Sequence, residues 1–344
     1  MSHGGDIYRN KVKLDFSVNV NPLGIPARVA EAMSQAVGLC SHYPDIRAAA
    51  LKCSIEGMTG VDREAVVCGN GASELLLAIM HALKPRKTAI PVPSFYGYEY
   101  AATAAGSEIV PMAMSAKDQF CLTEDLFRDI EEDVDVMILA NPNNPVGNLI
   151  PRGSLERLLE VCREKNIVVV VDECFIEFTG KEDTHSLKKV ISDDPNLIVV
   201  RAFTKIFAIP GVRLGYLFCQ SAALRKAIER QLPEWNLSVF AQAAGVAACA
   251  ERDYLAQTVT WLQQERAYLA GQFSRAGIRV FPSEANFVLI QTELPLYEEL
   301  LKRKILIRDC SNFRGLEKGF FRIAVKRHEE NEELLRAIGE LMGY

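Results

Sequence analysis

The run IVVVVDE, residues 167–173, sets five aliphatic residues in a row and ends them in two acids. A strand with one wet face alternates apolar and polar residues, whereas an unbroken aliphatic run suits a strand covered on both faces, as in a mostly parallel sheet. Runs of the same kind recur on either side: EAVVC, TAIPVP, DVMILA, LIVVRAF and VRLGYLFC. Between them lie stretches of helical spacing, SELLLAIMHAL, YGYEYAATAA and SLERLLEVCREK. The alternation predicts an α/β fold in which a large, mostly parallel sheet with crossover helices occupies residues 36–240. After a helical region over about 221–275 the pattern changes. IRVFPS, NFVLIQT, ILIRD and FFRIAV now alternate with YEELLKRK and NEELLRAIGELM, which reads as a smaller α+β unit. Residues 1–35, with the helical run VAEAMSQAV, have no sheet of their own and are assigned with 241–344 to this small domain.

With 344 residues, 49% apolar and 24% charged, the chain has the balance of an ordinary globular protein and enough length for two cores. A net charge of -5 without any basic run argues against nucleic acid or an anionic membrane as partner, so an anionic ligand must be caught locally. The longest aliphatic run, 167–171, is too short to span a bilayer, and the opening MSHGGDIYRNK lacks an apolar signal region; a cytoplasmic location is expected. Nine cysteines without a C-x-x-C pair and five histidines without ligand spacing predict neither a disulfide framework nor a metal.

In open α/β sheets ligands gather outside the carboxyl ends of the strands, and that rule selects the next residues. GNGASE (69–74) follows a strand and opens a helix, so its free N–H groups suit a phosphate; a plain turn with a serine cap accounts for it equally well. Glu74 stands at the third glycine position of the dinucleotide fingerprint, which excludes that motif. Asp172 either caps the next element or meets a buried cation, such as a protonated ring nitrogen. NPNNPVG (141–147) has ordinary loop composition, but its place after DVMILA lets Asn144 donate to a ligand oxygen. Lys205, in FTKIFAIPGVRLGY (203–216), is either a surface charge or, amid Phe203, Ile206, Phe207 and Ile209, an amine made nucleophilic by desolvation. Arg213 follows eight residues later. A buried lysine joined with an arginine, a phosphate-cradling loop and a strand-end aspartate points to a lysine bound to pyridoxal phosphate.

Taken in order, GNGASE, PSF, NPNNPVG, VDE, TK with an arginine eight residues on, NF and FRIAV resemble the fold-type I pyridoxal-phosphate enzymes, in the class II aminotransferase branch, over nearly the whole chain. Within that branch the sequence is similar to threonine-phosphate decarboxylases of cobalamin synthesis and to histidinol-phosphate aminotransferases. HGGDIY with LDFSVNVNPLG, DECFIEF, TKIFAIPGVRLGY and ILIRDCSNFRGL resemble the decarboxylases. Phe175 stands where most aminotransferases carry a tyrosine that donates to the cofactor's phenolic oxygen, which leaves Asn144 as the main expected donor.

The resemblance implies that Lys205 carries the cofactor, that Asp172 pairs with its pyridinium nitrogen and that Phe95 stacks on its ring. It implies that Gly71, Ala72, Ser73, Thr204 and Arg213 hold the phosphate, and that Tyr43, in HYPD, reaches this phosphate from the other subunit of a homodimer. His3, Asn19, Arg308 and Arg322 are implied as substrate residues, Arg322 for the carboxylate and Arg308 with His3 for a phosphate. The chain departs from the pattern at Ala202, where relatives often carry a hydroxyl, and in a shorter segment between HGG and LDFS, which bears on His3. The implied reaction is decarboxylation of O-phospho-L-threonine or phosphoserine to the amino-alcohol phosphate. Its rivals are amino transfer to 2-oxoglutarate and a catalytically silent binding protein, the latter opposed by the retention of Lys205, Asp172 and Arg213.

Overall fold

The computed structural model describes residues 4–343. The chain enters through a two-residue strand, β1 (Leu14–Asp15), and the helices Ala27–Gln35 and Ala49–Thr59. The next seven strands form one sheet: β2 (Val66–Gly69), β3 (Lys87–Val92), β4 (Glu108–Ala113), β5 (Val136–Ala140), β6 (Val168–Asp172), β7 (Leu197–Ala202) and β8 (Gly215–Cys219). Their spatial order is β2-β8-β7-β6-β5-β3-β4. Every pairing is parallel except the two made by β8, which runs against both β7 and β2. The valines of β6 explain its composition: Val169 and Val171 enter one core and Val170 the other, so neither face of the strand meets water.

The reversal of β8 brings a further loop to the ligand-binding edge of the sheet. β7 ends at Ala202, a single helical turn (Phe203–Ile206) and a short 3₁₀ turn (Pro210–Val212) come next, and β8 starts back at Gly215. A strand running the other way begins where its neighbours end. The residues just before β8 therefore lie at the same sheet edge as those just after β2, β3, β5, β6 and β7.

Beyond the helices Val239–Ala248 and Arg252–Arg275 a second, antiparallel sheet is built from β9 (Arg279–Val280), β10 (Phe287–Gln291), β12 (Arg308–Asp309) and β13 (Phe320–Ala324), in the order β12-β13-β10-β9. The remaining strand, β11 (Ile305–Leu306), pairs in parallel with β1. The run ILIRD is thus divided rather than continuous: its first half holds the N-terminal segment and its second half holds β13. The reason is the change of partner between Leu306 and Arg308, and the effect is to bring residues 14–19 beside Arg308. The C-terminal helix His328–Met342 closes this part. Among the described residues no helix is long and apolar enough to cross a membrane.

Candidate active site

The lysine turn after β7 is fixed from outside. Asn21 donates its backbone N–H to the Lys205 carbonyl (3.0 Å) and its buried side-chain amide to the Ile206 carbonyl (2.9 Å) and to Thr258 (2.8 Å). Arg213 adopts a left-handed backbone (φ 60°), and its guanidinium donates to the Pro210 carbonyl at 3.2 Å. A Cβ added to Gly71 would lie 2.6 Å from that guanidinium, and Gly71 itself has φ +84°. Glycine is therefore required twice over, for conformation and for close approach. The helix Ala72–Leu83 starts at this point without a side-chain cap, leaving the first-turn N–H groups of Ala72 and Ser73 to an anion. Thr204 is buried beside them.

The two acids that end β6 part company. Glu173 is fully buried on the far side, where it accepts from Arg201, Ser186 and the Leu187 N–H. Asp172 faces the cavity; its Oδ1 accepts from the Cys174 N–H (2.9 Å) and its Oδ2 from the Tyr98 hydroxyl (2.7 Å). In the loop after β5, Asn141 and Asn143 staple the backbone, to His185 and Pro93. Asn144 instead turns into the cavity, where its oxygen accepts from Arg322 Nη1 at 2.6 Å. An arginine can only donate, so the amide nitrogen of Asn144 stays available as a donor. Phe95 and Phe175 add apolar walls.

The opposite wall comes from the second sheet. Arg308 on β12 and Arg322 on β13 are directly opposed in register, and both are buried. Arg322 donates to the Ser17 carbonyl (2.8 Å), and its Nε has no partner among the described residues. Arg308 donates to Asn312 (2.9 Å) and lies over the Phe313 ring at 5.0 Å. Asn19 lines the same space, and its buried Oδ1 also lacks a partner among the described residues.

These groups enclose a cavity of about 270 Å³. Among the described residues three guanidiniums and one amine face a single carboxylate there, so a chain of net charge -5 keeps a cationic pocket. Burial pushes the Lys205 amine down to about 8, with Arg322 and Arg213 adding to the effect. Burial likewise brings Arg322 down to about 10, with Arg308 contributing.

Of the residues expected from sequence, Ala72, Ser73, Phe95, Asn144, Asp172 and Thr204 are gathered on the side of the large sheet. Lys205 and Arg213 join them, and Asn19, Arg308 and Arg322 face them. Gly71 underlies Arg213. Tyr43 lies elsewhere, 80% exposed, with its ring 4.8 Å from that of Trp235. His3 lies outside the described residues; Gly4 lines the cavity. Sequence reasoning missed Tyr98, Cys174, Ser17 and Phe313. Tyr98 sat in a stretch read only for its helical spacing, and its tertiary partner Asp172 is what reveals it.

A lysine, an aspartate and an uncapped helix start converging at the carboxyl edge of a mostly parallel sheet define a fold-type I pyridoxal-phosphate-dependent enzyme. The chain belongs to the family described as aminotransferase class I and II, whose profile matches residues 11–338. It is 39% identical over 342 residues (98% of this chain, 92% of the relative) to a protein of Caldanaerobacter subterraneus subsp. tengcongensis named provisionally as a threonine-phosphate decarboxylase. It is 32% identical over 353 residues (99% and 96%) to the threonine-phosphate decarboxylase of Salmonella typhimurium. Its fold superposes on the crystal structure of the histidinol-phosphate aminotransferase from Clostridium acetobutylicum with a TM-score of 0.90, at 34% identity, covering 96% of this chain and all of that one. Membership brings pyridoxal 5'-phosphate as the cofactor. The donor set fits it: an uncapped helix start, a glycine cradle and Arg213 for a phosphate, a buried carboxylate for a ring nitrogen, and an amine with no hydrogen-bond partner among the described residues.

Proposed function

We propose that the chain decarboxylates O-phospho-L-threonine, or phosphoserine, to the corresponding amino-alcohol phosphate for cobalamin synthesis. The observation that carries this reading is the pair of buried guanidiniums, Arg308 and Arg322, opposed in register across the cavity from Lys205. Two fixed cations match a substrate with two anionic ends, a carboxylate and a phosphate. The similarity to threonine-phosphate decarboxylases supports the same choice.

In this reading Lys205 carries the cofactor, Asp172 faces the pyridine nitrogen, and Phe95 covers the ring. Gly71, Ala72, Ser73, Thr204 and Arg213 hold the phosphate, and the free amide nitrogen of Asn144 donates to the phenolic oxygen. When bound, the cofactor supplies an electron sink for the bond at the α-carbon that stands perpendicular to its ring. The choice of bond falls to the protein. Arg322 holds the substrate carboxylate, while Arg308, with His3, holds the phosphate, and Asn19 also contacts the substrate; a rotation about this two-point anchor decides whether the carboxylate or the hydrogen stands upright. Lys205 Nζ, whose proton is loosely held near pH 8, then delivers a proton to the α-carbon. Tyr43 acts from a second copy of the chain, in a homodimer with shared sites; residues 36–240 form the large cofactor domain, and 1–35 with 241–344 the small domain.

Purified protein loaded with pyridoxal 5'-phosphate is expected to release carbon dioxide from phosphothreonine without consuming 2-oxoglutarate. Amino transfer to 2-oxoglutarate without carbon dioxide would replace this reading by that of a histidinol-phosphate-type aminotransferase, which the likeness to the Clostridium enzyme favours.

A further inference from the structure

We infer that Tyr98 is a positioning residue for the reaction, fixing the Asp172 carboxylate in the plane from which it meets the cofactor's ring nitrogen. The inference rests on the proposed role of Asp172. A carboxylate at the end of a strand can rotate about its last two bonds, and a rotated one presents its charge elsewhere. Here both oxygens are held. Oδ1 takes the Cys174 N–H from its own chain turn, at 2.9 Å, and Oδ2 takes the Tyr98 hydroxyl, at 2.7 Å. One contact is built into the backbone; the other is the contribution of a single side chain 74 residues away.

Three observations make Tyr98 more than a core aromatic. Its side chain is 1% exposed, and its hydroxyl has no other hydrogen-bond partner among the described residues, so the hydroxyl is committed to Asp172. Burial, and then the Asp172 charge, push the phenol well above its ordinary range, which keeps it a protonated donor at every working pH. Its ring also stands edge-on to Phe95, at 82° with 5.6 Å between centroids, within the same turn that opens the helix Gly97–Ala104. The side chain proposed to cover the cofactor and the side chain that orients its anionic partner are thus braced by one residue. A hydroxyl placed only to fill the core would serve as well without Asp172 opposite it.

The test is Tyr98→Phe, which keeps the ring and removes one oxygen. Its readouts are retention of the cofactor, measured by titrating it back while recording the visible absorption band, and the pH midpoint of that band in the holoenzyme. Lys205, Cys174 and Asp172 face the same space, so the midpoint senses how the carboxylate is held. Expected are a cofactor affinity weakened about 10-fold and a midpoint moved by about half a unit or more, with the melting temperature of the cofactor-free protein little changed. A packing role alone would move neither spectral quantity. Asp172→Asn is measured alongside, singly and combined with Tyr98→Phe. If Asp172→Asn alone weakens the cofactor and Tyr98→Phe adds nothing on top of it, the two act as one unit. A wild-type affinity and midpoint in Tyr98→Phe, with Asp172→Asn impaired, overturns the role of Tyr98. Wild-type behaviour in Asp172→Asn overturns instead the reading of Asp172 on which it rests.

Discussion

Lys205 answers to two demands, since a nucleophilic amine must shed its proton and a folded protein must shelter the group that does so. Burial lowers its folded value to about 8 against an ordinary 10.5. Because the folded value is the lower one, the unfolded chain binds the extra proton between those limits, and stability rises with pH across that window. The penalty is complete below about pH 8 and fades toward 10.5. Lys205→Met should therefore stabilise the cofactor-free protein at pH 7 by up to about 3 kcal/mol, a gain that shrinks between pH 8 and 10.5. Urea unfolding of both proteins across that range checks it; a constant difference would mean that Lys205 is not desolvated. Gly71 poses a steric question at the same site. An alanine there must adopt φ +84° and place its Cβ 2.6 Å from the Arg213 guanidinium. Gly71→Ala is expected to cost about 1–3 kcal/mol of stability, because its extended positive-φ backbone (φ 84°, ψ 164°) is open essentially to glycine alone. By displacing Arg213 it should also loosen the cofactor roughly 10-fold. Calorimetry and cofactor titration separate the two effects.

At the scale of elements, the end of β6 is anchored by a buried ion cluster. Arg201, on β7, is 1% exposed and donates to Glu173 (2.8 Å), Glu182 (2.8 Å) and Ser186 (2.7 Å). Removing one member of such a set strands its partners as uncompensated charges, so Arg201→Leu should destabilise by about 3–5 kcal/mol. Chemical denaturation measures this, and a loss below about 1 kcal/mol would show that Glu173 and Glu182 find other partners. The same neighbourhood shows how much could be read in advance. Aliphatic runs and helical spacing marked the strands and helices of the large sheet, because burial on both faces leaves its signature in composition. Nothing in VRLGYLFC marked β8 as reversed, since a covered strand has the same composition in either direction. The pleat places Asp172 on the side of Val170 and Glu173 on the side of Val171. That alternation was legible, but which face held the cavity was not until Tyr98 and Arg201 took their places in the fold. Motifs at strand ends gave Lys205, Arg213, Asn144 and Asp172, whereas Tyr98 and Ser17 act through tertiary contacts to Asp172 and Arg322 and left no local mark.

For the whole molecule, the face bearing Tyr43 is the part that a single chain leaves unexplained. Tyr43 is 80% and Trp235 42% exposed, their rings are in contact, and Val37, Leu39 and Ile46 are exposed on the neighbouring segment. Aromatic and aliphatic side chains brought together in water mark an interaction site more often than an isolated exposed leucine does. If that face meets a second copy, Tyr43 loses its exposure and its hydroxyl can serve the phosphate site of the partner, as the proposed function requires. Sedimentation equilibrium should then give a dimer. Tyr43→Phe, which keeps the apolar contact, should leave the dimer intact while releasing the cofactor about 10- to 100-fold faster, because one hydrogen bond to a charged group contributes about 1.5–3 kcal/mol. Tyr43→Arg, which sets a charge into the contact, should weaken both association and cofactor retention, and the retention should recover as protein concentration is raised. The concentration dependence is the decisive part, since a tyrosine acting within its own chain would give a retention defect that no excess of protein corrects, and a fully active monomer would dismiss the shared site altogether.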